Sequence, residues 1–167
     1  MAKVLMIIAP EGFQEVEYGI PKELLEKKGH EVLTASSVPQ PRGHLGNILT
    51  ADLTLSEVNA EEYAAIAFVG GPGTDFYFEH QPALDLAKEF YEAGKVVGAI
   101  CAAPTILAKS GILKGKNATC YPSQSDNLES NGANYTSKSL EKDGLLITAN
   151  GPESAKKFGK ALHKAIK

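Results

Sequence analysis

The residue in this chain best placed for covalent chemistry is a cysteine that closes an apolar strand. Lys95-Val96-Val97-Gly98-Ala99-Ile100 is an apolar, β-branched run of the kind that fills a buried parallel strand. Cys101-Ala102-Ala103-Pro104 interrupts it, and Thr105-Ile106-Leu107-Ala108-Lys109 continues with helical character. Cys101 is therefore expected at a sharp strand-to-helix turn, the device that exposes the nucleophile of many hydrolases. A thiol there faces free N–H groups and the positive end of the next helix. Both favour the thiolate, which is the nucleophilic form. The alternative is a small buried hydrophobe, the fate of most free cysteines.

Gly70-Gly71-Pro72-Gly73 follows a second apolar run, Tyr63 to Val69. It lacks the Lys-Ser/Thr of a Walker loop and does not fit GxGxxG. Glycine lets backbone N–H groups approach a substrate oxygen closely, so the expectation is an oxyanion pocket pairing the N–H of Gly71 with that of Ala102. A plain loop is the other reading.

Glu15 and Glu17 stand two positions apart at the start of a helix, so at most one of them faces the crevice. Beside a thiolate such a carboxyl must be protonated to donate a hydrogen bond, or act as an acid/base with a raised pKa. Otherwise it is a solvated helix carboxylate. Of the four histidines, His30 and His163 read as surface residues. His44 and His80 lie in loops and could supply the base a cysteine nucleophile commonly uses, although no spacing requires it. Cys120 reads as a core residue, with a redox pairing to Cys101 as the alternative.

The elements that must position these residues alternate along the chain. Val4–Ala9, Glu31–Ser36, Tyr63–Val69 and the Cys101 run read as strands. Phe13–Lys28, Pro82–Gly94, the segment from Thr105 to about Gly111, Ser123–Asn131 and the stretch from Pro152 onward read as helices, with Pro21 a local irregularity. Asn47–Leu55 reads as an antiparallel ribbon on the sheet edge, and Asn117–Tyr121 as a further short strand. Asn134–Ser139 and Leu145–Ala149 flank a turn at Lys142-Asp143-Gly144. The pattern predicts one α/β domain over residues 1–167 with a mostly parallel sheet. In such sheets ligands bind beyond the carboxyl ends of the strands, where Pro10-Glu11-Gly12, Gly70 and Cys101 all fall.

Composition narrows the function. The chain has 167 residues, is 43% hydrophobic and 22% charged, and carries a net charge of −3. Such a balance gives no reason to expect nucleic acid or an anionic membrane as a partner. Two cysteines make neither a disulfide framework nor a zinc site, so no metal and no cofactor is expected. With no secretory signal and no membrane-length apolar run, a reducing cytoplasmic location is the default expectation.

Ala99-Ile100-Cys101-Ala102-Ala103-Pro104-Thr105 resembles the nucleophile motif AIC-(A/H)-(G/A)-P of the ThiJ/PfpI superfamily, which is class I glutamine amidotransferase-like. Gly12-Phe13-Gln14-Glu15-Val16-Glu17 with Pro21 resembles that family's first helix, and Val69-Gly70-Gly71 its PGG turn. Gly111-Ile112-Leu113-Lys114-Gly115-Lys116 followed by Thr119-Cys120-Tyr121-Pro122 resembles a run of the PfpI intracellular protease branch, to which the chain is most similar. Asp143-Gly144, Ile147-Thr148-Ala149 and Pro152 resemble the closing strand and helix. The similarity spans essentially the whole chain.

The resemblance implies a flavodoxin-like three-layer α/β sandwich with a nucleophile elbow, assembled as a homodimer or a higher homo-oligomer. It implies Cys101 as the reactive thiol, Glu17 as its hydrogen-bonding glutamate, and Gly71 and Ala102 as oxyanion donors. Asp75 falls where the protease branch has an acidic residue contributed to a neighbour's site. Two positions depart from the family. Its histidine after the cysteine is Ala102 here, and the alternative histidine in the following strand is Tyr121. Proton transfer would then fall to Glu17, to Tyr121, or to a loop histidine. The leading expectation is an enzyme acting on a small-molecule carbonyl, in the family's glyoxalase or deglycase manner. Alternatives are a peptidase or amidase acting on a peptide substrate, a redox-sensing protective protein without turnover, and a binding module descended from an enzyme.

Overall fold

The apolar runs form the strands of one seven-stranded sheet with helices on both faces. The computed structural model describes residues 1–166. In chain order the elements are β1 (Lys3–Ile7), β2 (Glu11–Phe13), α1 (Glu15–Lys27), β3 (Glu31–Ser36), β4 (Arg42–Gly43), β5 (Leu53–Thr54), β6 (Ala65–Phe68), α2 (Gln81–Glu92), β7 (Val96–Ile100), α3 (Pro104–Ser110), β8 (Asn117–Ala118), α4 (Ser125–Ser130), β9 (Asn134–Tyr135), β10 (Leu140–Asp143), β11 (Leu146–Ala149) and α5 (Ala155–Ile166). The main sheet runs β10-β11-β7-β6-β1-β3-β5. Every pairing in it is parallel except the β10–β11 hairpin. α1 packs with α5, which lies on β7 and β11, and α2 packs with α3 beside β6 and β7. This is the flavodoxin-like three-layer arrangement. Because helices cover both faces, β6 and β7 are buried along their whole length, and that is why they read as continuous apolar runs.

The topology also makes the crevice. The chain passes from β1 outward to β3, then crosses back over β1 to β6 and on to β7. Connections therefore leave β1 and β6 in opposite directions, and their carboxyl ends part at this switch point. β1 leads into the segment carrying Glu17, β6 into Gly70 and Gly71, and β7 into Cys101.

Several expectations are corrected at the periphery. α1 starts at Glu15, after the short strand β2, and runs unbroken through a buried Pro21. The edge expected as an antiparallel ribbon is instead a pair of two-residue parallel pairings, β5 on β3 and β4 on β2, with one antiparallel bridge between Arg42 and Ile48. β8 lies outside the main sheet and pairs with β9 in a small sheet of its own. The hairpin partner of β11 is β10, not the segment 134–139. α5 begins at Ala155, after a 3-10 turn over Pro152–Ser154. Among the described residues no helix is long and apolar enough to cross a membrane.

Candidate active site

Cys101 is the first residue after β7, and its φ of +65° is a conformation that side chains other than glycine rarely adopt. Two backbone bonds hold it there. Its N–H donates to the Ala149 carbonyl at 2.9 Å, and its own carbonyl accepts from the Tyr121 N–H at 2.8 Å. Strain of this kind persists where the surroundings over-determine it, and it turns the side chain out of the sheet. The turn also decides which amides stay free. The N–H groups of Ala103, Thr105 and Ile106 donate to the carbonyls of Ile100, Ala102 and Ala103, and Pro104 has no N–H. The Ala102 N–H remains, and it points at the Cys101 sulfur together with the N–H of Gly71.

The glycines after β6 allow that approach. Gly71 has a φ of +127°, and a Cβ there would collide with the Gly12 carbonyl and lie 2.6 Å from the Gln14 nitrogen. At Gly70 a Cβ would lie 2.6 Å from Glu17 Oε1 and 2.7 Å from the Cys101 Cβ. Glu17, Gly70 and Cys101 therefore meet with no room for another carbon. The Gly70 carbonyl accepts from the Gln14 N–H at 2.8 Å, which ties the entrance of α1 to this turn.

Glu17 is completely buried, whereas Glu15 turns outward and accepts from the N–H groups of Leu45 and Asn47. One of the two glutamates faces the crevice, as their spacing requires. Neither carboxyl oxygen of Glu17 has a well-formed hydrogen bond. The polar groups nearest to it are the Cys101 thiol and the Gly70 N–H. Burial pushes its pKa up to about 7, the two contacts pull it down, and the Glu153 charge adds to the rise.

The thiol does not ionise readily by itself, contrary to what its place at a helix start suggests. Burial pushes it well above the ordinary range, and the charge and hydrogen bond of Glu17 push it further, while the Ala102 and Gly71 amides pull it back only in part. α3 has only seven residues, so it adds little field. The two groups titrate as a pair that resists carrying two negative charges. With Glu17 ionised, the thiol keeps its proton. With Glu17 neutral, the opposing charge is gone, the carboxyl can donate, and the two amides face a sulfur that can accept charge.

The sulfur lines an open cavity of about 440 Å³. Of the residues expected at the site, Glu17, Gly71, Asp75, Cys101, Ala102 and Tyr121 line it, and so does His44 on the turn that Glu15 pins. Gly70 stands behind them. His80 is elsewhere, packed against the rings of Phe76 and Tyr77. His30 is corrected from surface to buried: it accepts from the Ala2 N–H through Nδ1 at 3.2 Å and meets His163 Nδ1 through Nε2 at 2.8 Å. Cys120 is fully buried, and burial together with the Glu129 charge pushes its thiol up to about 12. Sequence reasoning does not assign Gln14, Phe78, Ser123, Gln124 or Pro152 to the site, and with Pro72 of the glycine loop they complete the lining. Gln14 could have been found as the side-chain cap of α1, accepting from the Val16 N–H at 2.8 Å. Pro152 stands in the resemblance only as part of the closing strand and helix, and Phe78, Ser123 and Gln124 carry no motif. No three metal-ligating side chains cluster among the described residues.

Comparison with known proteins finds relatives over nearly the whole chain. The model of the DJ-1/PfpI family matches residues 2–165. A protein of Methanocaldococcus jannaschii is 41% identical over 169 residues, covering 99% of this chain and 82% of its own. Deglycase PfpI of Pyrococcus furiosus is 32% identical over 151 residues, covering 90% of each chain. The crystal structure of a ThiJ/PfpI domain protein from Brachyspira murdochii superposes with a TM-score of 0.96 at 32% identity, over 98% of this chain and 95% of that one. The chain belongs to the DJ-1/PfpI family.

Proposed function

We propose that the protein is a cysteine-dependent enzyme acting on small reactive carbonyls, with Cys101 as nucleophile and Glu17 as acid and base. One observation carries this reading: a fully buried carboxyl whose pKa lies at about 7 abuts a thiol on a strained elbow, with two backbone amides aimed at the sulfur. A carboxyl titrating near neutrality both gives and takes a proton under ordinary conditions. The deglycase name of its Pyrococcus furiosus relative is consistent with such chemistry.

The steps follow from the positions. The Cys101 proton passes to Glu17 as sulfur adds to an aldehyde carbon. The carbonyl π bond opens, and the oxygen takes the electron pair beside the N–H groups of Gly71 and Ala102. Glu17 then returns its proton to that oxygen, giving a hemithioacetal. With a 2-oxoaldehyde the reaction continues. Glu17 takes the proton from C1, the C–H electrons form the C1=C2 bond, the C2=O π pair moves onto the C2 oxygen, and Glu17 returns the proton there, giving an enediol. Reprotonation at C2 with loss of the proton on the first oxygen leaves a thioester. Water cleaves the thioester to a 2-hydroxy acid and restores the thiol. C1 is oxidised, C2 is reduced, and no outside oxidant enters.

Amide hydrolysis fits less well. It needs an acid aimed at a leaving amine, and the position after the nucleophile is Ala102. The test is to offer methylglyoxal and a peptide-aminomethylcoumarin to the wild-type protein and to Cys101→Ser. Aldehyde turnover that vanishes in the variant is the expected result. Amidase turnover alone would replace the proposal with a peptidase. If neither substrate is turned over while peroxide adds oxygen to Cys101, the protein is a redox sensor instead.

A further inference from the structure

Gln124 ends a 3-10 turn, Pro122–Gln124, which begins directly after Tyr121. The Tyr121 N–H donates to the Cys101 carbonyl, so this turn is fixed to the peptide of the nucleophile itself. Gln124 Oε1 accepts two hydrogen bonds, one from Thr105 Oγ1 at 2.8 Å and one from Asn127 Nδ2 at 2.8 Å. Thr105 is completely buried on α3, in the turn that follows the elbow. Both lone pairs of the amide oxygen are thereby occupied, and the orientation of the amide is set. That leaves its NH2, a donor with no acceptor among the described residues, as the group Gln124 can offer to the cavity it lines.

Building on the carbonyl chemistry above, we propose that Gln124 determines specificity for vicinal dicarbonyls by donating from Nε2 to the oxygen on C2, while the amides of Gly71 and Ala102 hold the oxygen on C1. The site then carries donors for two neighbouring oxygens, which a 2-oxoaldehyde has and a simple aldehyde lacks. The C2 oxygen takes up charge as the enediol forms. A donor already fixed in place stabilises that charge without reorganisation. Thr105 and Asn127 act through Gln124 as positioning residues. They hold its oxygen so that the NH2 is presented.

The test compares the wild-type protein with Gln124→Leu and Gln124→Glu by two readouts. One is kcat/KM on methylglyoxal. The other needs no turnover: the concentrations of methylglyoxal and of propanal that half-protect Cys101 from iodoacetamide. Gln124→Leu is expected to lose about tenfold in kcat/KM, and to need about tenfold more methylglyoxal for protection, with propanal protection unchanged. Gln124→Glu keeps an oxygen for Thr105 and Asn127, so it tests the idea even if the leucine variant misfolds. Its carboxylate faces the developing oxyanion, and its kcat/KM is expected to fall further. The proposal is overturned if an active wild type and both variants handle methylglyoxal alike, or if protection by the two aldehydes shifts in parallel. A wild type that neither turns over nor is protected by either aldehyde would remove the carbonyl reading itself, and this role with it.

Discussion

The Glu17 carboxyl and the Cys101 thiol face each other where the β1 and β7 connections meet, and their effects are unequal: the thiol contact eases ionisation of the carboxyl, whereas the charge and hydrogen bond of Glu17 hold the thiol protonated. The carboxyl is fully buried, whereas the sulfur opens into the cavity with two amides aimed at it. Replacing the carboxyl by an amide removes the charge that opposes the thiolate. Glu17→Gln should therefore shift the alkylation profile of Cys101 with iodoacetamide to lower pH, while aldehyde turnover is lost with the acid/base. Superimposable profiles would separate the two residues.

Gly70 offers a steric test of the same junction. A methyl group there would lie 2.6 Å from Glu17 Oε1 and 2.6 Å from the Ile100 carbonyl oxygen. Gly70→Ala should destabilise the fold by about 1–3 kcal/mol, the usual cost of overpacking. By displacing Glu17 it should also lower kcat by about 100-fold. Chemical denaturation and steady-state kinetics measure the two effects separately.

Cys120 should be silent. Its side chain is fully buried, whereas Cys101 opens into the cavity, so native protein at about pH 8 should take up a single alkyl group, on Cys101. A second should appear only on unfolding, and intact-mass spectrometry reads both. Rapid double labelling of the native chain would contradict the burial.

Two buried groups should give stability opposite slopes with pH. Glu17 keeps its proton in the fold up to about pH 7 but releases it near 4.5 in the unfolded chain. Between those values the native state binds more protons, so stability falls as pH rises, by about 3 kcal/mol for this group. Glu17→Gln should accordingly melt about 6–10 °C above wild type at about pH 8, with no advantage at about pH 4. His30 works the other way. Burial and the neighbouring His163 hold its pKa below the ordinary 6.5, so the unfolded chain takes the proton first and stability falls as pH drops through that value. His30→Gln should flatten this limb in pH-dependent melting.

The centre of the site was legible in the sequence, and its margins were not. An apolar run ending in Cys-Ala-Ala-Pro announces the elbow because strand and helix periods meet at one residue. The two-residue spacing of Glu15 and Glu17 already says that only one can face inward. Gln124 was invisible because its amide is oriented by Thr105, a contact made only once α3 and the turn after Tyr121 come together. His30 looked exposed at a helix end, but the residue that covers it, His163, comes from α5 at the far end of the chain. The β4 and β5 pairings are two residues long and are fixed by their neighbours in the fold rather than by any pattern of their own. The thiolate expectation failed for a related reason. Sequence places Cys101 beside free amides, but the opposing effect of burial and of Glu17 appears only in three dimensions.

The central claim is that burial keeps the Glu17 carboxyl protonated close to neutrality, ready to trade its proton with Cys101. Infrared difference spectra of wild type minus Glu17→Gln, recorded across a pH titration, read this carboxyl directly through its protonated C=O band. The account predicts a band that persists above the ordinary carboxylate range and disappears with a midpoint at about 7. A band already lost near 4.5 would contradict it, leaving Glu17 an ordinary carboxylate with no proton to give.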